Sequence, residues 1–571
     1  MAKNYFEQGE YEKALSIYQE LYEKHPNNLV YFQGLIAVYQ ELGQYANAIK
    51  LLMQKTMATS NYPNLLVELG YNYQLQGNLE AAKEQYEKAI SKISERPNFA
   101  YSVGNAFQKH NLLEQAAKTY EIANEIRPST NFSIQLARIY GEQGKTEKMF
   151  VNYLRLIEEN PNLFFTVNRV FNQYITENPE NEANQIFRKL LLKKLQANPD
   201  LLYNQLLSWL FVQQKDYEKA FVQEKAIYIR SENGLRSIFD LALIAKEEKK
   251  LETATEILNY LIENEITVDG KLRAHGILMN LKVENATEKE HSEIETDFQQ
   301  LFSTYGKNAA TFPLQIEYAN FMAFHQDKKQ EAIALLKKLL EENLNKFDQA
   351  KAKIKLADIL VLNEQFNQAL IYYSQVQKLV KNDVLAQKAQ FKVAKTSYYK
   401  GDFDWAETQL DVLKTSTSQL IANDAMELSL LIKDNSLEDS TQTALKLFAK
   451  ADLFTFQEKN EMALSILDEI LEKHQNEKII DDALFRKGKI LEKNGEYEKA
   501  ATAYQQIIDS YKDGILADNA YFSLAELYRK HLDQPQKAKE NYEQILFNHE
   551  DSIYFVEARK RFRELRGDVV E

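Results

Sequence analysis

The sequence predicts an all-α protein, an α-solenoid made by stacking antiparallel helix pairs, and three observations carry that expectation. Small residues recur at Ala14, Ala48, Ala82 and Ala116, in steps of 34. The phrase GEYEKA opens at residue 9 and again at residue 495, and the echo continues through Tyr18 with Tyr504 and Leu21 with Ile507. Only 17 Gly and 9 Pro occur in 571 residues, too few turn formers for a strand-rich chain. A fixed period of this length marks a repeated unit, and the chain is too long for a single core.

Each repeat reads as two helices and a turn. Gly9, Gly43 and Gly77 stand five places before the recurring alanine, with Tyr11, Tyr45, Leu79 and Leu113 three before it and Tyr18, Leu52, Tyr86 and Tyr120 four after. Residues four apart share a helix face, so Ala82 and Tyr86 form one stripe, as do Leu69 or Gly70 with Tyr73 on the preceding helix. The small residues Gly70 and Ala82 let the two helices approach. Gly77 and Asn78 supply the turn, because glycine ends a helix in the left-handed conformation without steric cost. Pro26, Pro128 and Pro161 end the second helices of their units, since proline lacks the N–H that a helix needs.

These positions resemble the tetratricopeptide repeat, a helix pair of 34 residues that stacks into a right-handed superhelix. Residues 63–96 match through Leu69, Gly70, Tyr73, Gly77, Ala82, Tyr86 and Ala89, and residues 97–129 through Val103, Gly104, Phe107, Ala116, Tyr120, Ala123 and Pro128. The resemblance implies a fold of about fifteen helix pairs and a concave groove that holds protein or peptide partners. It implies little about activity, because the family is defined by packing residues.

Later units change pitch. Met149 replaces the alanine at 130–163, residues 164–200 read as a degenerate pair, and 201–234 and 235–268 are clearer. We expect an N-terminal lobe over 1–268 and an irregular helical connector, a pair joining two lobes, over 269–312. The C-terminal lobe follows in two parts, 313–434 and 435–571, the last with a basic capping helix. Beyond the connector Ala332, Ala369 and Ala406 are 37 apart, which lengthens each unit's helices by about 4.5 Å in total. The 57-residue gap between Ala406 and Ala463 predicts one supernumerary helix and a polar loop near Asn435 to Gln442, a candidate hinge. Counting back from Gly9, the first repeat should begin about six residues before Met1, so a removed leader or lipid anchor is expected upstream.

Composition narrows the function. Hydrophobic residues make up 44% and charged residues 27%, an ordinary soluble balance, and the net charge of −13 disfavours nucleic acid as a partner. Cysteine is absent, which excludes disulfides and thiolate chemistry. The longest apolar run, LLYNQLLSWLFV from Leu201, is too short and too interrupted to span a bilayer, so any membrane association is indirect or through a leader. No phosphate loop, HExxH, GxSxG or calcium loop occurs, and no two of the eight histidines share a helical face at ligand spacing. We therefore expect no enzyme activity, cofactor or metal.

Recognition is the better prospect. The repeat's groove positions, carried over by resemblance, fall on Tyr71, Gln74, Tyr101, Asn105, Gln108, Arg138, Asn168, Asn172, Gln205 and Trp209. Amides at one-turn spacing can pair with the backbone of an extended peptide, and Trp209 is either an interface anchor or a space filler between units. The lysine and asparagine clamp of chaperone-binding repeats is missing, with Tyr101 before Asn105 and Gln33 before Ala37. A basic cluster near the C-terminus, Arg559, Lys560, Arg561, Arg563 and Arg566, reads as the polar face of a cap or a dock for an acidic protein or anionic surface.

The last 90 or so residues resemble repeats of periplasmic and outer-membrane-associated bacterial proteins such as the barrel-assembly lipoprotein and the Tol-Pal coordinator. Tyr511–Lys512 and Asn548–His549 replace the Tyr-Pro that closes those repeats. The resemblance implies a periplasmic adaptor in a multi-subunit outer-membrane assembly or secretion complex. A cytoplasmic regulator that senses peptides is the alternative.

Overall fold

Long runs free of proline, with apolar residues three and four apart, produce helices throughout. The computed structural model describes residues 1–58, 62–128, 131–231, 234–414, 418–436 and 442–568, and among these there are thirty-two α-helices and no strand. Helix Leu79–Glu95 shows how one is made. Gly77 takes φ +88°, the Asn78 side chain accepts from the Ala81 N–H at 3.1 Å, and the helix buries Ala82, Tyr86, Ala89, Ile90 and Ile93 along one face. Its C-cap, Arg96, precedes a proline. Both GEYEKA phrases are such turns, with Gly9 at φ +77° and Gly495 at φ +79°. Where glycine is missing from the corresponding turn, Asn111, Lys215, Glu364 and Glu458 adopt the same left-handed conformation.

Small residues set the spacing between paired helices. A methyl group added to Gly70, Gly104 or Gly488 would fall within 3.0 Å of the ring of Tyr86, Tyr120 or Tyr504, which come from the second helix of the same pair. The recurring alanines, from Ala14 through Ala116 to Ala500 and Ala538, are buried. Met149, at the alanine position of its unit, is buried as well.

Two compact units result, Met1–Glu248 and Lys249–Glu571, whose division lies one helix before the expected boundary at 268. In the first, the first helices of successive pairs are Asn64–Leu75, Ala100–Lys109, Ser133–Glu142, Phe164–Phe171 and Leu201–Gln213. The degenerate pair is real: Phe164–Phe171 is short, and a ten-residue connection leads to Glu182–Ala197.

In the second unit, the stretch read as an irregular helical pair forms the helices Val268–Glu284 and His291–Tyr305. The longer pitch lengthens first helices at Lys346–Leu362 and Val384–Tyr399, with 17 and 16 residues. Later it lengthens a connection instead, since Ile480–Lys493 has 14 residues and six precede it after Lys473. The supernumerary helix is Gln419–Ser436, which buries Ile421, Ala425, Leu428 and Ile432 in the core of this unit. Most of the candidate hinge, residues 437–441, lies outside the described residues.

Past the extra helix, Thr443–Phe456 lies against earlier first helices. Phe456 meets Phe324 and Tyr399 with ring centroids 5.8 and 6.1 Å apart, and Gln457 Nε2 donates to the Leu362 carbonyl at 3.2 Å. Accordingly Thr443–Phe456 buries most of its surface, from Leu445 and Phe448 to Ala451 and Asp452, and exposes only a stripe through Thr443, Lys446 and Lys450.

Candidate functional site

The first helices of unit Met1–Glu248 carry nine of the ten groove residues expected from the sequence, and the tenth, Asn172, is the C-cap of one of them. Asn64–Leu75 places Tyr71 and Gln74 near one face. The Tyr71 ring stacks on His110 with centroids 3.8 Å apart and planes 18° apart. His110 Nε2 lies 3.0 Å from Glu68 Oε2, and Lys109 Nζ donates to Glu68 Oε1 at 2.9 Å. Burial works against the Glu68 charge, but the His110 hydrogen bond and the Lys109 charge outweigh it and hold the carboxyl below its ordinary range. Tyr71 thus covers the imidazole of a polar cluster whose Lys109 side chain stays exposed.

Three amides on this face are already oriented. Gln74 Oε1 accepts the Tyr86 hydroxyl at 3.0 Å, while Asn105 Oδ1 and Gln108 Oε1 share the Tyr120 hydroxyl at 3.2 and 3.4 Å. Burial pushes the Tyr120 hydroxyl up to about 12, with the nearby Tyr101 adding to the shift, so it remains a donor at neutral pH. Each amide therefore keeps its NH2 group for other acceptors, and none of the three donates a hydrogen bond among the described residues. Tyr101, one turn before Asn105, is 57% exposed.

Arg138 projects from Ser133–Glu142 and is exposed. Burial raises the Tyr153 hydroxyl, and the charge and hydrogen bond of Arg138 oppose that shift. On the next first helix, Asn168 Oδ1 is buried without a hydrogen-bond partner among the described residues, and Asn172, the C-cap, is exposed. Gln205 is exposed on Leu201–Gln213, and Trp209 follows it one turn later. The Trp209 ring sits 6.3 Å from both Phe171 and Phe187, so it walls an aromatic cluster while staying partly open to solvent. This contact brings the Asn168–Asn172 helix beside the Gln205–Trp209 helix.

Tetratricopeptide-repeat models match residues 5–66, 63–91, 482–514 and 519–552. The chain carries tetratricopeptide repeats. It is 23% identical over 239 residues to the TPR repeat-containing protein YpiA of Bacillus subtilis (strain 168), covering 41% of this chain. The match spans about half that relative's length, 54%. Among solved structures, the APC/C hetero-tetramer Cut9-Hcn1 aligns over 99% of this chain and 95% of its own, with 15% identity and a TM-score of 0.25. Naa15/Naa10 bound to HypK-THB aligns over 98% of each chain, with 12% identity and a TM-score of 0.30.

The basic cluster belongs to the second unit, on its last helix, Phe555–Arg566, and most of its charge is spoken for. Arg561 pairs with Glu557 at 2.7 Å and Glu564 at 3.0 Å, while Arg563 and Arg566 both reach Asp568. Arg559 and Lys560 are exposed.

Two features of the repeats escaped sequence reading. The Glu68, Lys109 and His110 cluster joins residues about 40 positions apart, off the repeat period, so no periodic signal marks it. His291 and His325, 34 positions apart on different helices, meet with ring centroids 5.6 Å apart. Among the described residues they form part of no group of three metal-type ligands.

Proposed function

We propose that this chain is a non-enzymatic protein–protein interaction scaffold whose first-helix face in Met1–Glu248 holds an extended segment of a partner. The observation that carries the reading is the set of oriented amides. Tyrosine hydroxyls fix the carbonyl oxygens of Gln74, Asn105 and Gln108, leaving NH2 groups to donate to a peptide backbone. Fixed donors lose little freedom when a partner arrives, which favours capture. The partly open Trp209 edge adds an apolar contact.

The setting on this reading is the bacterial envelope, in a periplasmic complex of outer-membrane assembly or secretion. Its support is the likeness of the two closing repeats to those of envelope proteins. Cell fractionation tests it, and recovery with the soluble cytoplasm would put the regulator reading in its place.

The groove is tested with Tyr101→Ala and Asn172→Ala together, both exposed positions. Cross-linking and affinity recovery from the native cell should yield roughly tenfold less of the principal partner, with circular dichroism and melting unchanged. Equal recovery by the double variant would move the interface off this face.

A further inference from the structure

The second unit carries a different feature on its first helices. Helix Val384–Tyr399 reads VLAQKAQFKVAKTSYY: three lysines and no acid, in a chain of net charge −13. Lys388, Lys392 and Lys395 are spaced four and three apart and so share one face. The neighbouring first helices are tied together by polar rungs: Asn280 to Glu317 at 3.0 Å, Lys355 to Asn320 at 3.0 Å, and Lys392 to Asp358 at 2.7 Å. Onward from Val384–Tyr399 the polar link runs through the Tyr398 hydroxyl, which donates to Asp452 at 3.1 Å, and not through a lysine.

The buried acids near this helix are already committed. Asp358 takes Lys392 and the Tyr373 hydroxyl. Asp452 takes Arg486 at 3.2 Å and the Tyr398 hydroxyl at 3.1 Å. Lys388 and Lys395 are exposed, and neither pairs with a carboxylate among the described residues. Lys395 only hangs over the Tyr399 ring, 6.0 Å from its centroid. Surrounding protein disfavours its charge, and Arg486 and Lys392 repel it, while Asp452 and Asp424 stay close enough to oppose both effects. An incoming anion would relieve that repulsion.

We propose that the Lys388–Lys392–Lys395 face, bordered by Arg486, is a second docking site that accepts an acidic segment of a protein partner. Lys388 and Lys395 lie seven residues apart, about 10 Å along the helix axis. A polyproline-type segment advances about 3.1 Å per residue with three residues per turn, so carboxylates three residues apart match that span from one side. The expected ligand is therefore an extended segment with Asp or Glu at every third position. This site does not depend on the groove of the first unit.

The test uses the full chain and a fluorescein-labelled peptide with glutamate at every third position between prolines. Fluorescence anisotropy at low salt should show binding that weakens as salt rises, and the glutamine version of the peptide should not bind. Lys388→Gln with Lys395→Gln should weaken it about tenfold at unchanged melting temperature, whereas Lys395→Arg and the Tyr101→Ala/Asn172→Ala variant should bind as the parent does. Bound peptide should also protect Lys395 from acetylation, read by mass spectrometry. Undiminished binding by the double lysine variant overturns the proposal. So does protection of these lysines by phosphatidylserine vesicles but not by the peptide.

Discussion

Gly104 sits against the ring of Tyr120 so closely that a single added methyl group would overlap it. Tyr120 is fully buried, so the ring has nowhere to retreat. In an open helix, glycine to alanine gains up to about 1 kcal/mol from propensity alone. Here overpacking should reverse the sign: Gly104→Ala is expected to destabilise the first unit by about 1–3 kcal/mol, and Gly488→Ala the second by a similar amount. Chemical denaturation measures both, and a raised midpoint would show that these helices do not meet through their glycines.

Asp452 holds three helices of the second unit together, since its carboxylate takes Arg486 from Ile480–Lys493 and Tyr398 from Val384–Tyr399. Asp452→Ala leaves that guanidinium without its counter-charge. Because the Arg486 side chain keeps 36% of its surface in solvent, the loss should be about 1–3 kcal/mol, less than for a wholly buried pair. The double variant with Arg486→Met should recover part of it. A double variant no better than Asp452→Ala would mean that the ion pair is not what matters there.

Asp482 should make the second unit less stable as pH rises. Burial, with the Asp481 charge next, pushes its carboxyl up to about 7, while the Asn435 hydrogen bond and Arg486 only partly offset this and Asp434 adds to it. In the unfolded chain the group ionises near 3.8 while the folded form stays protonated, so stability falls between those values and levels off above 7. Asp482→Asn should therefore unfold at a higher temperature than the parent at pH 8 and at nearly the same temperature at pH 4. An equal difference at both pH values would contradict the assignment.

Glu526 should act in the opposite direction. Burial disfavours its charge, but hydrogen bonds from Arg529, Lys530 and Tyr542 win and lower the carboxyl to about 2. Its contribution is complete above the ordinary value of 4.5 and lost as pH falls toward 2. Glu526→Gln should cost about 2 kcal/mol at pH 7 and almost nothing at pH 2, measured by denaturation at each pH. A cost that persists at the lower pH would assign the effect to shape, not charge.

The fold could be read along the chain because its signals are local. The alanine period, the left-handed glycine turns and the helix-ending prolines act within one or two turns, and even the supernumerary helix between Ala406 and Ala463 showed as an excess of length. Turns without glycine were harder to see, since Lys215 or Glu364 takes the left-handed conformation only because the helices on either side are already pinned.

The helices that carry the groove candidates were legible in the sequence, and the state of their side chains was not. Gln74, Asn105 and Gln108 fall on the first helices as their register implies, yet each already accepts from a tyrosine of its own repeat. Trp209 leans on Phe171 and Phe187, which come from two other helices. The clustered arginines of the last helix are largely paired with Glu557, Glu564 and Asp568.

Periodicity by itself determined the helices, their pairing and the kind of face the repeats present, because residues three and four apart must share a side wherever a helix forms. Only the tertiary structure decided which polar groups on that face are still unoccupied, and that Lys392 meets Asp358 while Lys388 and Lys395 pair with no carboxylate among the described residues. A hydrogen bond or ion pair forms between atoms within about 3 Å, and side chains 34 or 42 positions apart are brought that near only when whole helices pack.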